Sequence, residues 1–311
     1  MLKQAKRSSE RDRHPLSMAV FLCLALVVAV AGGCRHEAPV EPEKQIAEGW
    51  KWYRSGDFSL AIKAFESALT AAPTNGILRQ QALYGLASTW ALRRPDEDPQ
   101  RAMAYHREVM AADPKGDLAG WSALALARLR TMPVAGESVE LKEHLKAYQE
   151  VIDSFPHHTA GEEAFLFLQA ARLSDPQAGQ EQAVLEALEA YVKAHPESPW
   201  RGTCFRLIAH CCDVLDRKER RFEATVEEWK AKEAMAPTNA LPDRSFTYWR
   251  LATLAEFTLG DFDLAREYYG KLIADYPTEQ RVFLAKQELK RMEALEKTLR
   301  AETGPAGETT R

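Results

Sequence analysis

The chain has 311 residues, 46% of them hydrophobic and 28% charged, the balance of a folded, water-facing protein with room for several structural units. The formal net charge is −4. Residues 34–311 alone hold 36 basic and 43 acidic side chains, a net of −7, which gives no support to nucleic-acid binding, an activity that usually needs a basic stripe, and no nucleic-acid partner is expected.

The N-terminus is the one apolar exception. Lys3, Lys6, Arg7, Arg11 and Arg13 precede an uncharged run from Met18 to Gly33. That run falls short of the ~20 residues a helix needs to span a bilayer. A basic start, a short apolar run and small residues at its end predict a secretory signal peptide over residues 1–33, with an uncleaved single-span anchor as the alternative. The ending Ala31-Gly32-Gly33-Cys34 resembles the lipobox of bacterial lipoproteins, with Ala31 where that family more often has Leu. The resemblance implies cleavage before Cys34 and lipidation of its thiol. Acyl chains at ~0.8 kcal/mol per buried CH₂ would then anchor the protein without a spanning helix. Arg35 follows Cys34 where enterobacterial lipoproteins retained at the inner membrane carry Asp, which points to the outer membrane, periplasmic face. Residues 34–44, ending in RHEAPVEPEK, predict a short extended lipidated tether with a reach of roughly 35 Å.

The stretch Gln45–Pro73 then reads as two helices around a tight turn at Gly56-Asp57. Gly49 and Trp52 lie on the first helix, Ala61, Phe65 and Ala68 on the second. Small residues (Gly49, Ala61) allow close approach and large ones (Trp52, Phe65) fill the space beside them. Pro73 stops the second helix. Prolines recur at 73, 114, 156, 196, 237 and 277, at intervals of 41, 42, 40, 41 and 40, a period that marks a stacked helical array over residues 45–277. The residues Gly49-x₂-Trp52, Ala61-x₃-Phe65 and Pro73 resemble the tetratricopeptide repeat, although Gln45 and Glu48 stand at its leading Trp and Leu positions. The resemblance implies an all-α, TPR-like helical-hairpin solenoid of about six repeats wound as a right-handed superhelix. The family period is about 34 residues, so each unit here carries extra residues in helices or loops.

The second repeat opens at Gln81–Gly85, with Tyr84-Gly85 at the family's Leu-Gly position. Its turn is lengthened over residues 93–99, and Ala102 and His106 take the small and large positions of its second helix. The third has Trp121, Leu124 and Ala125, a turn with Pro133 and Gly136, and a stripe of Leu141, Leu145, Tyr148 and Val151. The fourth runs Gly161–Leu173, with Pro176 in the first turn of its second helix and Leu185, Leu188 and Tyr191 facing inward. The fifth covers Pro199–Leu215 and Arg220–Met235. The sixth has Trp249, Leu251, Ala252, Gly260-Asp261, Ala265 and Tyr269. Residues 278–302 form a capping helix with an apolar stripe at Val282, Ala285, Leu289, Met292, Leu295 and Leu299, backed by Glu293–Lys297 and Glu296–Arg300 pairs. Residues 303–311 are a disordered tail. The junctions SFPHHTAGEEA, AHPESPWRG and DYPTEQRVFLA resemble those of the TPR lipoprotein of the outer-membrane barrel-assembly machinery and the periplasmic Tol-Pal coordinator.

No catalytic constellation, phosphate loop or HExxH motif is present. Neither enzymatic activity, nor a cofactor, nor a small-molecule substrate is expected. Cys204, Cys211, Cys212 and His210 lie on one helix, which alone cannot surround a metal. His157-His158 with Glu162 and Glu163 read as a polar junction before a helix capped by Thr159, and Asp96–Asp98 as a solvated loop. No metal site is expected. In the tetratricopeptide family the first helices line a groove that binds protein segments. The positions one and four after the small residue are Trp50 and Tyr53 in repeat one, and Leu86 and Thr89 in repeat two with Trp90 beside them. Trp50, Tyr53, Leu86 and Trp90 are the candidate protein-binding residues, interior packing being the alternative for each. The expected partners are proteins of the cell envelope and, through the lipid, a membrane. The expected role is a lipid-anchored scaffold in envelope assembly, with a pilotin-type pilus or secretion assembly factor or an envelope enzyme as alternatives.

Overall fold

A computed structural model describes residues 41–72, 76–91, 98–132, 139–175, 179–235 and 243–302. Among them are thirteen α-helices and no strand. The fold is all-α, built of TPR-like helical hairpins, as the proline period and the resemblance imply. The chain divides into two units, Met1–Thr89 and Trp90–Arg311. The signal peptide, Cys34 and the C-terminal tail lie outside the described residues.

In the first unit, α1 (Pro42–Ser55) and α2 (Phe58–Ala71) form a hairpin, and α3 (Ile77–Trp90) follows, its last residue belonging to the second unit. Helix α1 starts three residues before the expected Gln45. Pro42 sits at the first helical position, where its fixed φ suits the turn and its missing N–H is not needed. Pro42, Glu43 and Lys44 are therefore helix, not tether. Gly56 closes α1 at φ 81°, a left-handed conformation that favours glycine, and the Asp57 carboxylate accepts the Leu60 N–H at 3.2 Å to cap α2. The second helix ends at Ala71; Pro73, its expected stop, lies outside the described residues.

The second unit continues with α4 (Pro99–Ala112), α5 (Asp117–Arg130), α6 (Leu141–Ser154), α7 (Thr159–Arg172), α8 (Glu181–Ala194), α9 (Arg201–Val214), α10 (Lys218–Met235), α11 (Ser245–Thr253, prolonged by a π-helical turn Leu254–Leu259), α12 (Phe262–Asp275) and α13 (Arg281–Glu302). Each helix packs on its neighbours in sequence, and α5 with α7, α7 with α9 and α11 with α13 also meet. Pro114, Pro156, Pro196 and Pro277 lie in the short turns α4–α5, α6–α7, α8–α9 and α12–α13; Pro237 lies outside the described residues. The long period has a simple origin. Most helices are 14 residues, so most of the extra length falls outside the described helices.

Three local expectations are corrected. Helix α7 is capped by His158, whose Nδ1 accepts the Ala160 N–H at 3.0 Å, and not by Thr159, which is already helical. Helix α8 starts at Glu181, beyond Pro176, which lies outside the described residues. On α13, Val282, Ala285 and Met292 are buried, but Leu295 and Leu299 are 40% and 52% exposed. Glu293 and Lys297 pair at 2.9 Å as expected, whereas Glu296 meets Arg266 of α12.

Candidate protein-binding surface

The first unit's site is built on one aromatic ring. Phe65, on α2, is fully buried between α1 and α3. A Cβ added at Gly49 would lie 2.5 Å from Phe65 Cε1, and one at Gly85 would lie 2.6 Å from Cζ. Both glycines are thus required by contact with the ring. Beside it, Trp50 packs edge-on against Phe65 with centroids 5.2 Å apart, against Tyr53 at 5.3 Å, and lies 6.3 Å from Tyr84 of α3. Tyr53 in turn meets Phe58 at 5.9 Å. Trp50, Tyr53 and Tyr84 are all half-buried. Burial also pushes the Tyr53 hydroxyl pKa up. Each ring has one side packed and part of its surface open.

Two expected members do not join them. Leu86 and Thr89 are fully buried, and the Thr89 hydroxyl donates to the Gly85 carbonyl at 2.7 Å. On α3, Ala82, Leu83, Leu86, Ala87 and Thr89 are buried on several sides, so an offset counted from Gly85 does not select an open face. Trp90 belongs to the second unit. It is half-buried against the core of Ala102, Met103, Leu126 and Leu129, with the Arg101 guanidinium 4.5 Å over its ring. Tyr84, at the family's Leu-Gly position, is not among the candidate binding residues; its place before a glycine that faces Phe65 is the signal that sets it beside Trp50.

In the second unit, a groove of about 490 Å³ runs between α4, α5 and α6, floored by Leu126, Ala127, Ala147 and Val151. Arg130 and Glu150 pair across its rim at 3.5 Å. Helical periodicity marks these residues only as packing faces and does not distinguish a groove from a closed contact.

The polar clusters are committed to joining repeats. His158 Nε2 lies 2.9 Å from Asp117 Oδ1. Glu163 pairs with Arg128, and Glu162 accepts from Tyr191 Oη at 2.9 Å and Ser198 Oγ at 2.8 Å. Cys204, Cys211 and Cys212 are buried and free. Burial pushes Cys204 up to about 12 and Cys211 up to about 11, so these thiols stay protonated and weakly nucleophilic. Among the described residues no group of three or more His, Cys, Asp or Glu side chains is placed to hold a metal ion. Asp98 caps α4 by accepting the Arg101 N–H at 2.9 Å; Asp96 and Glu97 lie outside the described residues. No helix of the described residues is long and apolar enough to cross a membrane.

Residues 247–278 match the family model for the tetratricopeptide repeat. The chain carries a tetratricopeptide repeat. The match runs from α11 through α12 to the turn after it, with Ala265 and Tyr269 at the small and large positions, both fully buried. No curated protein matches the chain. Among solved structures it is similar to PilF of Pseudomonas aeruginosa, with 15% identity and a TM-score of 0.48 over 81% of this chain and 97% of that one. It is also similar to PilW, described as a widely conserved type IV pilus biogenesis factor, with 17% identity and a TM-score of 0.46 over 81% and 97%. A tetratricopeptide repeat protein from Parabacteroides merdae shares 16% identity with a TM-score of 0.45 over 86% and 94%. At these identities and scores the similarities carry no argument about function.

Proposed function

We propose that this tetratricopeptide-repeat protein is a non-catalytic scaffold that captures a protein partner, tethered by lipid on Cys34 to the periplasmic face of the outer membrane, where it serves cell-envelope assembly. The observation that supports capture is the half-open cluster of Trp50, Tyr53 and Tyr84 on α1 and α3, set on Phe65. Aromatic side chains fixed by packing lose little further entropy when a partner covers them. The basic start, apolar run and Ala31-Gly32-Gly33-Cys34 ending support the lipid anchor.

The test is cross-linking in cells with the parent and with Trp50→Leu/Tyr53→Leu, which keeps apolar side chains at both positions while removing the rings. Loss of the parent's cross-linked partner, with helicity unchanged, supports the assignment. An identical cross-linked set from both chains would overturn it.

A further inference from the structure

The turn between α6 and α7 sets one imidazole between two helices. His158 Nδ1 accepts the Ala160 N–H at 3.0 Å, at the start of α7, and Nε2 lies 2.9 Å from Asp117 Oδ1, at the start of α5. Together the two contacts fix the proton. A backbone N–H can only donate, so Nδ1 carries no hydrogen. An ionised carboxylate can only accept, so Nε2 carries one. The ring is therefore neutral and in the Nε2–H tautomer.

Its surroundings hold it in that pose. A Cβ added at Gly120 would lie 2.7 Å from Nδ1, so α5 meets the ring through a glycine. Trp121 packs edge-on at 5.6 Å and Phe155 at 6.1 Å. A half-turn of the ring would present carbon atoms to both Ala160 and Asp117. The side chain is still 19% exposed, so water reaches it.

A second proton has one place to go, Nδ1. There it would face the Ala160 hydrogen, with two donors opposed across a contact that is now 3.0 Å. The positive end of the α7 dipole opposes the added charge as well. The Asp117 bond survives, because Nε2 keeps its hydrogen and the bond becomes charge-assisted on both sides. Protonation thus keeps the ring on α5 and releases the first turn of α7. The capped state binds one proton fewer than the uncapped state, so falling pH favours release.

The other charged groups near this turn have partners of their own. On α7, Glu162 accepts from Tyr191 and Ser198 and lies 3.8 Å from His195, and Glu163 pairs with Arg128. Asp153, near the end of α6, accepts from Gln149 at 2.8 Å. In the turn before α5, Asp113 accepts the Lys115 N–H at 3.4 Å. Asp117 is the charge bonded to the ring. Phe155 carries the effect outward, since it packs on the imidazole and also lines the groove between α4, α5 and α6, with Lys115 and Asp153.

We propose that His158 is a proton-operated latch. Neutral, it caps α7 and closes the turn against α5. Protonated, it frees the first turn of α7 and lets Phe155, a wall of the groove, shift. The latch is independent of the aromatic cluster on α1 and α3.

Amide hydrogen exchange on the full chain tests this, each rate divided by that of an unstructured peptide at the same pH. Between about pH 7.5 and about pH 5, the span over which imidazoles ordinarily gain charge, protection at Ala160, Gly161 and Glu162 should fall about tenfold, the scale of a lost helix cap. His158→Asn offers an amide oxygen that caps without titrating, and its protection should stay constant across the span. His158→Ala should show the low protection throughout. His157→Asn, a change at the exposed neighbour, should respond as the parent does. The α9 amides serve as the reference for opening of the whole unit. Nitrogen NMR of labelled histidine, with His158→Asn identifying the signal, should find Nδ1 unprotonated at the upper pH. An Nδ1–H tautomer there, protection in the parent that ignores pH, an equal fall in His158→Asn, undiminished protection in His158→Ala, or a parallel fall of the α9 amides would overturn the proposal.

Discussion

Gly85 leaves the Phe65 ring the space that a side chain at that position would take. A Cβ on Gly85 would lie 2.6 Å from Phe65 Cζ, well inside van der Waals contact, and Gly49 presses on the same ring from α1. Gly85→Ala should therefore destabilise the first unit by about 1–3 kcal/mol, although alanine is the better helix former by ~1 kcal/mol. Urea unfolding checks this. Adding Phe65→Leu should recover part of the loss, since the smaller side chain makes room. A stabilised Gly85→Ala protein would show that the ring is free to move aside.

Asp216 turns the chain between α9 and α10 at φ 51°, the one positive φ outside glycine among the described residues. The corresponding turns before α2 and α12 use Gly56 at 81° and Gly260 at 70°. Its carboxylate, highly exposed, lies 3.9 Å from Lys218, a pairing worth little. Asp216→Gly should raise stability by about 0.5 kcal/mol, as relief of the left-handed strain exceeds the added chain entropy. Gly260→Ala should lower it by about 1 kcal/mol. Thermal melts of the two variants should move in opposite directions.

His106 occupies the large position of α4 with 1% exposure, Nδ1 3.1 Å from Ser122 Oγ. Burial lowers its pKa from 6.5 to about 4. Between those values the unfolded chain binds a proton that the folded chain does not, so stability rises with pH across this window. Acidification below about pH 6.5 should weaken the second unit by up to roughly 3 kcal/mol, levelling near pH 4. His106→Gln should flatten that part of the profile. Urea midpoints measured from pH 4 to 7.5 decide it; equal slopes for both proteins would place the acid sensitivity elsewhere.

Cys34→Ala should abolish incorporation of labelled fatty acid and release the protein from membranes, because the thiol is the proposed acyl acceptor. Labelling that persists in the variant rules out this residue as the anchor.

The sequence made the helix pairs legible because two signals coincide: the regular prolines and the Gly49, Ala61 and Phe65 framework, which the structure packs as expected. The groove positions were less legible for a physical reason. Trp50 and Tyr53 lie on a helix with a polar face and are half-buried, which leaves interior packing as open as the spacing does, whereas α3 is apolar nearly all round and hides Leu86 and Thr89. Leu295 and Leu299 fit the stripe of α13, yet they are 40% and 52% exposed although Glu296 beside them still meets Arg266 of α12. Helix periodicity tells which side could be covered, not how fully a partner covers it. Residue type does not mark His158 as a cap, because its imidazole nitrogen is set to accept a backbone N–H by ring contacts from elsewhere in the fold, here Asp117 and Trp121.

In the second unit, helices meet only their near neighbours along the chain. Order can therefore spread pair by pair, with few distant segments to bring together, and assembly should be quick for its length. Loss of order should likewise travel pair by pair. Calorimetry would then record a broad transition whose measured enthalpy exceeds the van't Hoff value.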